Sequence, residues 1–466
     1  MSMLDAPLSA LAESLREGVL QAADLAEAAL AAIQDELGAY VHVDPEFTQA
    51  AARAADAAFE AGVDLGPLQG LPISIKDLYG VRGLPIHAGT PKRLPEKFEE
   101  DGELIRRVRG QLASITGKTH TVEFAFGGLG TNPHWQTPRN PWDAAQARVP
   151  GGSSAGAGVS LLEGSAVLAL GTDTAGSVRI PASFTGCTAL KLTAGRWPLE
   201  GIVPLSPTLD TPGLLARDLD DLRYAFASID AQWGDPWELE DSLPRLEPSE
   251  LVLGRMDAFF LEDCSPGVVE AFEEALGALE RAGARIRPLE LPEVGASDAL
   301  FRQGGPVSVE LHHFLVTELP SWIDSLDPNV RARVGDAAQL TAHEYLRRLE
   351  AMRAHAGTAA ERLGAADVLL TPTVAITPPT LAEVAEPAGY GPANLLALRN
   401  TSVVSYLGLC ALTMPCGKDA AGMPVGLQLI APPGAEERLL TVASTLERVL
   451  GRPIDRLGRA PLARRA

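Results

Sequence analysis

Pro150-Gly151-Gly152-Ser153-Ser154-Ala155-Gly156, followed by Gly171-Thr172-Asp173-Thr174-Ala175-Gly176-Ser177, is the most telling part of this chain. It sets two serine sites 24 residues apart among glycines and other small residues. Small residues let backbone N–H groups approach a ligand closely, as a site for a developing negative charge requires. The stretch has three readings. A phosphate-binding loop needs Gly-Lys-Ser/Thr after the glycines, and neither segment has it. A nucleophile elbow needs Gly-x-Ser-x-Gly, which Gly152-Ser153-Ser154-Ala155-Gly156 matches with Ser154 as nucleophile. That reading also needs a histidine partner downstream, and His312, His313, His343 and His355 are available. The third reading is a Gly/Ser loop that only packs closely.

Working outward, Ile73-Ser74-Ile75-Lys76-Asp77 alternates like a strand and ends in a lysine. Of 39 Lys plus Arg, only six are Lys: 76, 92, 97, 118, 191 and 418. Burial can bring a lysine to neutrality near pH 7, which arginine does not allow. A serine hydroxyl needs a base to attack at neutral pH, and a desolvated lysine can be that base. Serine with lysine is one variant of triad logic.

The chain has 466 residues, 46% apolar and 21% charged, with a net charge of −21. These values suit a soluble globular protein and disfavour nonspecific binding to nucleic acid or an anionic membrane. Met1 to Leu11 shows no basic segment ahead of an apolar core, and no apolar run is long enough to span a membrane. Cys187, Cys264, Cys410 and Cys416 fit neither a zinc motif nor a disulfide framework, so four buried thiols in a reducing cytoplasm are expected.

Pattern and propensity predict helices at 21–35, 46–61, 101–112 and 434–450. They also predict a helix from Ser154 to Glu163 and a short one from Ser177 or Val178. Strands are predicted at 73–77, 113–116, 167–170, 251–254 and 368–370, with a late pair at 411–415 and 425–430. Residues 127–148 read as a long ordered loop and 216–365 as mostly helical. Buried strands alternating with helices imply an α/β or α+β fold around a mixed sheet.

Lys76 in its strand, the serine pair and Gly171 to Pro181 together resemble the amidase signature family. So do Gly117-Lys118-Thr119, Asn140-Pro141-Trp142-Asp143, residues 186–195 and 203–213, Thr371-Pro372-Thr373, and Pro424 to Leu429. The likeness is close over 65–220 and weak over 220–365. It implies an α/β fold, a single large domain over 1–466 with a central mixed sheet covered by helices on both faces. Within it, 1–65 would be N-terminal helices and 66–220 the catalytic core. Residues 221–400 would be a variable region shaping the substrate site, and 401–466 the C-terminal core strands and helix.

The resemblance also implies residue roles. Ser177 would be the nucleophile. Ser153, on a cis peptide after Gly152, would relay the proton, and Lys76 would be the base. The N–H groups of Thr174, Ala175, Gly176 and Ser177 would form the oxyanion hole, with Ser154, Asp173 and Arg179 supporting it. The implied activity is cleavage of a small carboxamide through an acyl-enzyme, without metal or other cofactor. The glutaminase component of a tRNA-dependent amidotransferase is the alternative within the fold, and a catalytically silent binding protein is the alternative outside enzymes. A homodimer is compatible with such a chain.

The family often carries Gly where Ala155 and Ala175 stand. Ala155 is expected on a helix, and Ala175 is tolerable if its φ stays negative. His312, His313, Trp135, Trp142 and Tyr79 are further candidates for the pocket wall.

Overall fold

The computed structural model describes residues 3–230 and 243–463. Its spine is one sheet of eleven strands: β1 (Tyr40–His42), β2 (Pro72–Lys76), β3 (Ser114–Thr119), β4 (Leu168–Asp173), β5 (Thr188–Lys191), β6 (Thr211–Ala216), β7 (Val252–Arg255), β8 (Arg285–Pro288), β9 (Val368–Pro372), β10 (Cys410–Lys418) and β11 (Pro424–Ala431). The spatial order is β1-β3-β2-β4-β6-β5-β10-β11-β9-β7-β8. Strand β2 runs parallel to β3 and β4, and β7 runs parallel to β8 and β9; the other pairs are antiparallel. The sheet is therefore mixed, as expected, with helices packed on it.

The alternation at 73–77 marks β2 correctly, but all five of its residues are buried. Side chains on a strand alternate between faces, so Ser74 and Lys76 share one. On that face the Ser74 hydroxyl is 2.9 Å from that of Ser160, in the helix Ala157–Glu163. Ile73 and Ile75 join the main hydrophobic core with Leu168, Leu214 and Leu412.

Several expectations need correction. The helix predicted from Ser154 begins at Ala157, so Ala155 lies in the turn before it. Short strands β1, β5, β6 and β8 went unread: each has six residues or fewer, and β8 is mostly exposed, so periodicity has little to act on. Part of the 216–365 stretch, residues 231–242, lies outside the described residues. The rest is mostly helical as expected, with β7 where a strand was predicted and β8 unforeseen. All four cysteines are free, but Cys264 is only half-buried. Among the described residues no helix is long and apolar enough to cross a membrane.

Candidate active site

Three segments meet at the carboxyl ends of β2 and β4, where ligands bind in open α/β sheets. Lys76 is the last residue of β2 and Asp173 the last of β4. The register sets Ile75 opposite Leu170 and so carries Lys76 towards Thr172. Lys76 Nζ donates to Ser153 Oγ at 2.7 Å and to Thr172 Oγ1 at 2.8 Å. The side chain is fully buried. Burial drives the Lys76 pKa from the ordinary lysine value down to about 7, against the opposing pull of the Asp210 and Asp173 charges.

Ser153 follows a cis peptide bond from Gly152. Glycine is required at 152 because a Cβ there would lie 2.6 Å from the Gly130 nitrogen. The Ser154 N–H donates to the Ser177 carbonyl at 3.2 Å and ties the serine pair to the second loop. Ser154 Oγ is buried against the Thr172 carbonyl at 3.4 Å.

The second loop runs from the end of β4 into the helix Arg179–Thr185. Asp173 organises it. Its carboxylate accepts from Gly176 N–H at 2.7 Å, Val178 N–H at 3.2 Å, and Arg179 at 3.0 and 2.9 Å. Burial alone would raise the Asp173 pKa, but the Arg179 guanidinium, the Lys191 charge and the Val178 N–H together hold the carboxyl below its ordinary value. Arg179 in turn donates to Gln428 at 2.7 Å and Ser405 at 2.9 Å, which anchors the loop to β11 and to the helix Pro387–Tyr406.

This network sorts the four backbone donors expected at the oxyanion position. Gly176 N–H is committed to Asp173. Among the described residues the N–H groups of Thr174, Ala175 and Ser177 donate to no protein atom. Those same three residues line a cavity of about 530 Å³. Ala175 is not among the residues with positive φ, so its methyl group is accommodated; Gly176, at φ 136°, needs to be glycine.

Two contributors escaped the sequence reading. Thr172 is the second partner of Lys76. Asp210, buried, accepts from the Thr174 hydroxyl at 2.5 Å and from Leu205 and Ser206 N–H at 2.9 Å. Burial raises its pKa to about 6. Asp210 stands inside the 203–213 stretch, but nothing local marks a lone aspartate as buried beneath the loop.

Other candidates fall away from the cavity. Tyr79 donates its hydroxyl to the Gly171 carbonyl at 2.7 Å and braces β4. The Trp135 indole donates to the Thr90 carbonyl and the Trp142 indole to the Thr185 carbonyl, so both hold loops. His312 and His313 do not line the cavity, and among the described residues no histidine does. The elbow reading thereby loses both its histidine and an accessible Ser154. No His/Cys/Asp/Glu group among the described residues is arranged to hold a metal ion.

Against known proteins, the amidase family model matches residues 24–440. The 2-amino-5-chloromuconic acid deaminase of Comamonas testosteroni is 49% identical over 431 residues, 92% of each chain. The A component of the glutamyl-tRNA(Gln) amidotransferase of Geobacter sp. strain M21 is 30% identical over 96% of this chain and 98% of its own. A crystal structure described as an amidase matches with a TM-score of 0.85 at 30% identity, covering 96% of this chain and all of its own. The native peptide amidase of Stenotrophomonas maltophilia matches with a TM-score of 0.80 at 25% identity, covering 96% and 97%. A family match over most of the chain and a 49% identical relative of equal extent lead to one conclusion: this chain belongs to the amidase family.

Proposed function

We propose that the protein hydrolyses a carbon–nitrogen bond of a small carboxamide through an acyl-enzyme on Ser177. The observation that carries this reading is the 2.7 Å hydrogen bond from buried Lys76 to Ser153, beneath a cavity onto which Ser177 opens. A lysine with a pKa of about 7 is half neutral at physiological pH and can accept a proton.

In the proposed sequence neutral Lys76 takes the proton of Ser153 as Ser153 takes that of Ser177. The Ser177 oxygen forms a bond to the carbonyl carbon. The N–H groups of Thr174, Ala175 and Ser177 stabilise the oxyanion, each such donor being worth about 2.7–4 kcal/mol. Ser153 returns the proton to the nitrogen, the C–N bond breaks and ammonia or an amine leaves. Water then adds to the acyl carbon by the same relay, yielding the carboxylic acid and free Ser177. Among the described residues no hydrogen bond joins Ser153 Oγ to Ser177 Oγ. Catalytic contacts of this kind commonly tighten only when substrate binds, here by rotation of the Ser177 hydroxyl.

A second reading concerns the bond. The 49% identical relative is a deaminase of 2-amino-5-chloromuconic acid, so an amino group on an unsaturated carboxylic acid is an alternative leaving group for the same nucleophile. The amidotransferase reading has weaker support, at 30% identity.

The test is a fluorophosphonate probe followed by peptide mapping. Label on Ser177, with turnover in Ser177→Ala reduced by about 10⁴-fold or more, is the expected result. Label on Ser154, or a Ser177→Ala variant that keeps its turnover, would discard the assignment.

A further inference from the structure

The cavity wall has a charge pattern unlike the rest of the chain. Acidic residues outnumber basic ones 60 to 39 in the sequence, yet among the described residues no Asp or Glu lines the cavity, whereas Arg302, Arg333 and Arg348 do. Two of these arginines are neutralised locally: Arg302 pairs with Asp298 at 2.6 Å and Arg348 with Glu344 at 2.9 Å. Arg333 differs. Among the described residues it has no carboxylate partner.

Its position is nonetheless well defined. Arg333 stands on the helix Pro328–Ala337 and is half-buried. Its Nε donates to the Asn329 carbonyl at 3.0 Å and its Nη2 to the Phe126 carbonyl. The guanidinium stacks on the Phe126 ring, 3.9 Å from the centroid. The Tyr390 hydroxyl lies beside it; burial raises that phenol's pKa, and the Arg333 charge opposes the rise. Asp327, at the start of the same helix, spends Oδ1 on the Asn329 N–H at 2.7 Å and forms no ion pair with Arg333. Among the described residues every hydrogen-bonding and stacking partner of the guanidinium is therefore neutral. A planar cation held by main-chain carbonyls and an aromatic face suits a carboxylate, which it can bind through two parallel hydrogen bonds.

We propose that Arg333 anchors a carboxylate of the substrate, so that the enzyme acts on small anionic substrates in preference to neutral ones of the same length. The proposal rests on the reading that Ser177 in this cavity is the nucleophile. The acid would be a short one, since a cavity of about 530 Å³ admits only a small molecule. With a net charge of −21 the protein surface does not favour anions in general, so the attraction belongs to the site.

Monoamides of four-, five- and six-carbon dicarboxylic acids can be compared with neutral amides in which a methyl group replaces the carboxylate. In the native enzyme kcat/KM should be at least about 30-fold higher for the best anionic member than for its neutral partner. Arg333→Gln should remove that preference mainly through KM and leave the neutral amides within about threefold, and Arg333→Lys should recover part of it. A readout independent of the scissile bond is protection: adipate or trans,trans-muconate should slow fluorophosphonate labelling of Ser177 in the native protein and not in Arg333→Gln. A native preference for the neutral amides, no protection by either dianion, or an equal loss on both series in a folded Arg333→Gln would overturn the anchor. Failure of Ser177 to take the label in the absence of any dianion would instead overturn the nucleophile assignment.

Discussion

At the scale of single residues the chemistry turns on how much water Lys76 has lost. In solution its ammonium would hold its proton to above pH 10; buried against two hydroxyls, it titrates near 7. In the proposed mechanism the neutral form is the base, so kcat/KM should rise with pH through about 7 and then level. The height of that limb on the pH axis depends on Asp210 and Asp173, whose negative charges pull the lysine's pKa upward. Asp210→Asn removes one of them, so Lys76 should lose its proton at lower pH and the limb should move to the acid side. A pH profile of native enzyme and variant checks this, and a limb that stays in place or moves to the alkaline side would detach Lys76 from the rate. Asp210 itself titrates near 6, so its influence is present at neutral pH and fades below that value.

At the scale of elements, the turn between β4 and the helix Arg179–Thr185 is built to aim donors. Asp173 draws Gly176 N–H inward, and the neighbouring N–H groups of Thr174, Ala175 and Ser177 are left for the cavity. That arrangement needs Gly176: its φ of 136° is unfavourable for any side chain, and a Cβ would lie 2.1 Å from Thr401 Oγ1. Gly176→Ala should cost about 2 kcal/mol or more of stability and lower kcat by about 10²-fold or more as the donors lose aim. Thermal melting alongside steady-state kinetics would show it, and a native-like variant in both would remove the turn from the mechanism. The buried Asp173–Arg179 pair has its remaining hydrogen-bonding groups satisfied by Gln428 and Ser405, so both charges are paired away from water.

At the scale of the molecule, the helix Leu8–Arg16 joins the sheet through the helix Leu219–Ile229, which packs on β6. Leu8, Leu11 and Leu15 in the first helix are buried. The Leu8 N–H donates to Asp221 at 2.7 Å, and Arg217 donates to the Leu4 and Ala6 carbonyls. Burying a leucine contributes about 1.5–3 kcal/mol. Deleting residues 1–20 should therefore lower the melting midpoint by several degrees, and calorimetry showing an unchanged midpoint would make this segment an appendage.

How far all this was legible in the chain depends on the range of the forces involved. The mixed sheet, the late pair β10 and β11, and most helix positions follow from local hydrophobic period and turn residues. Lys76 and the two Gly/Ser loops stand out because glycine-rich loops and a lysine ending an apolar strand are local patterns, but the local motif points to Ser154, and only the family resemblance singles out Ser153 and Ser177. What tertiary structure alone decided is the meeting of residues far apart in sequence: Thr172 and Asp210 near Lys76, the Gly176 N–H drawn to Asp173, and Arg333 without a carboxylate partner among the described residues. Burial, charge pairing and donor aim are properties of the packed neighbourhood, and sequence records a neighbourhood only where it is contiguous along the chain.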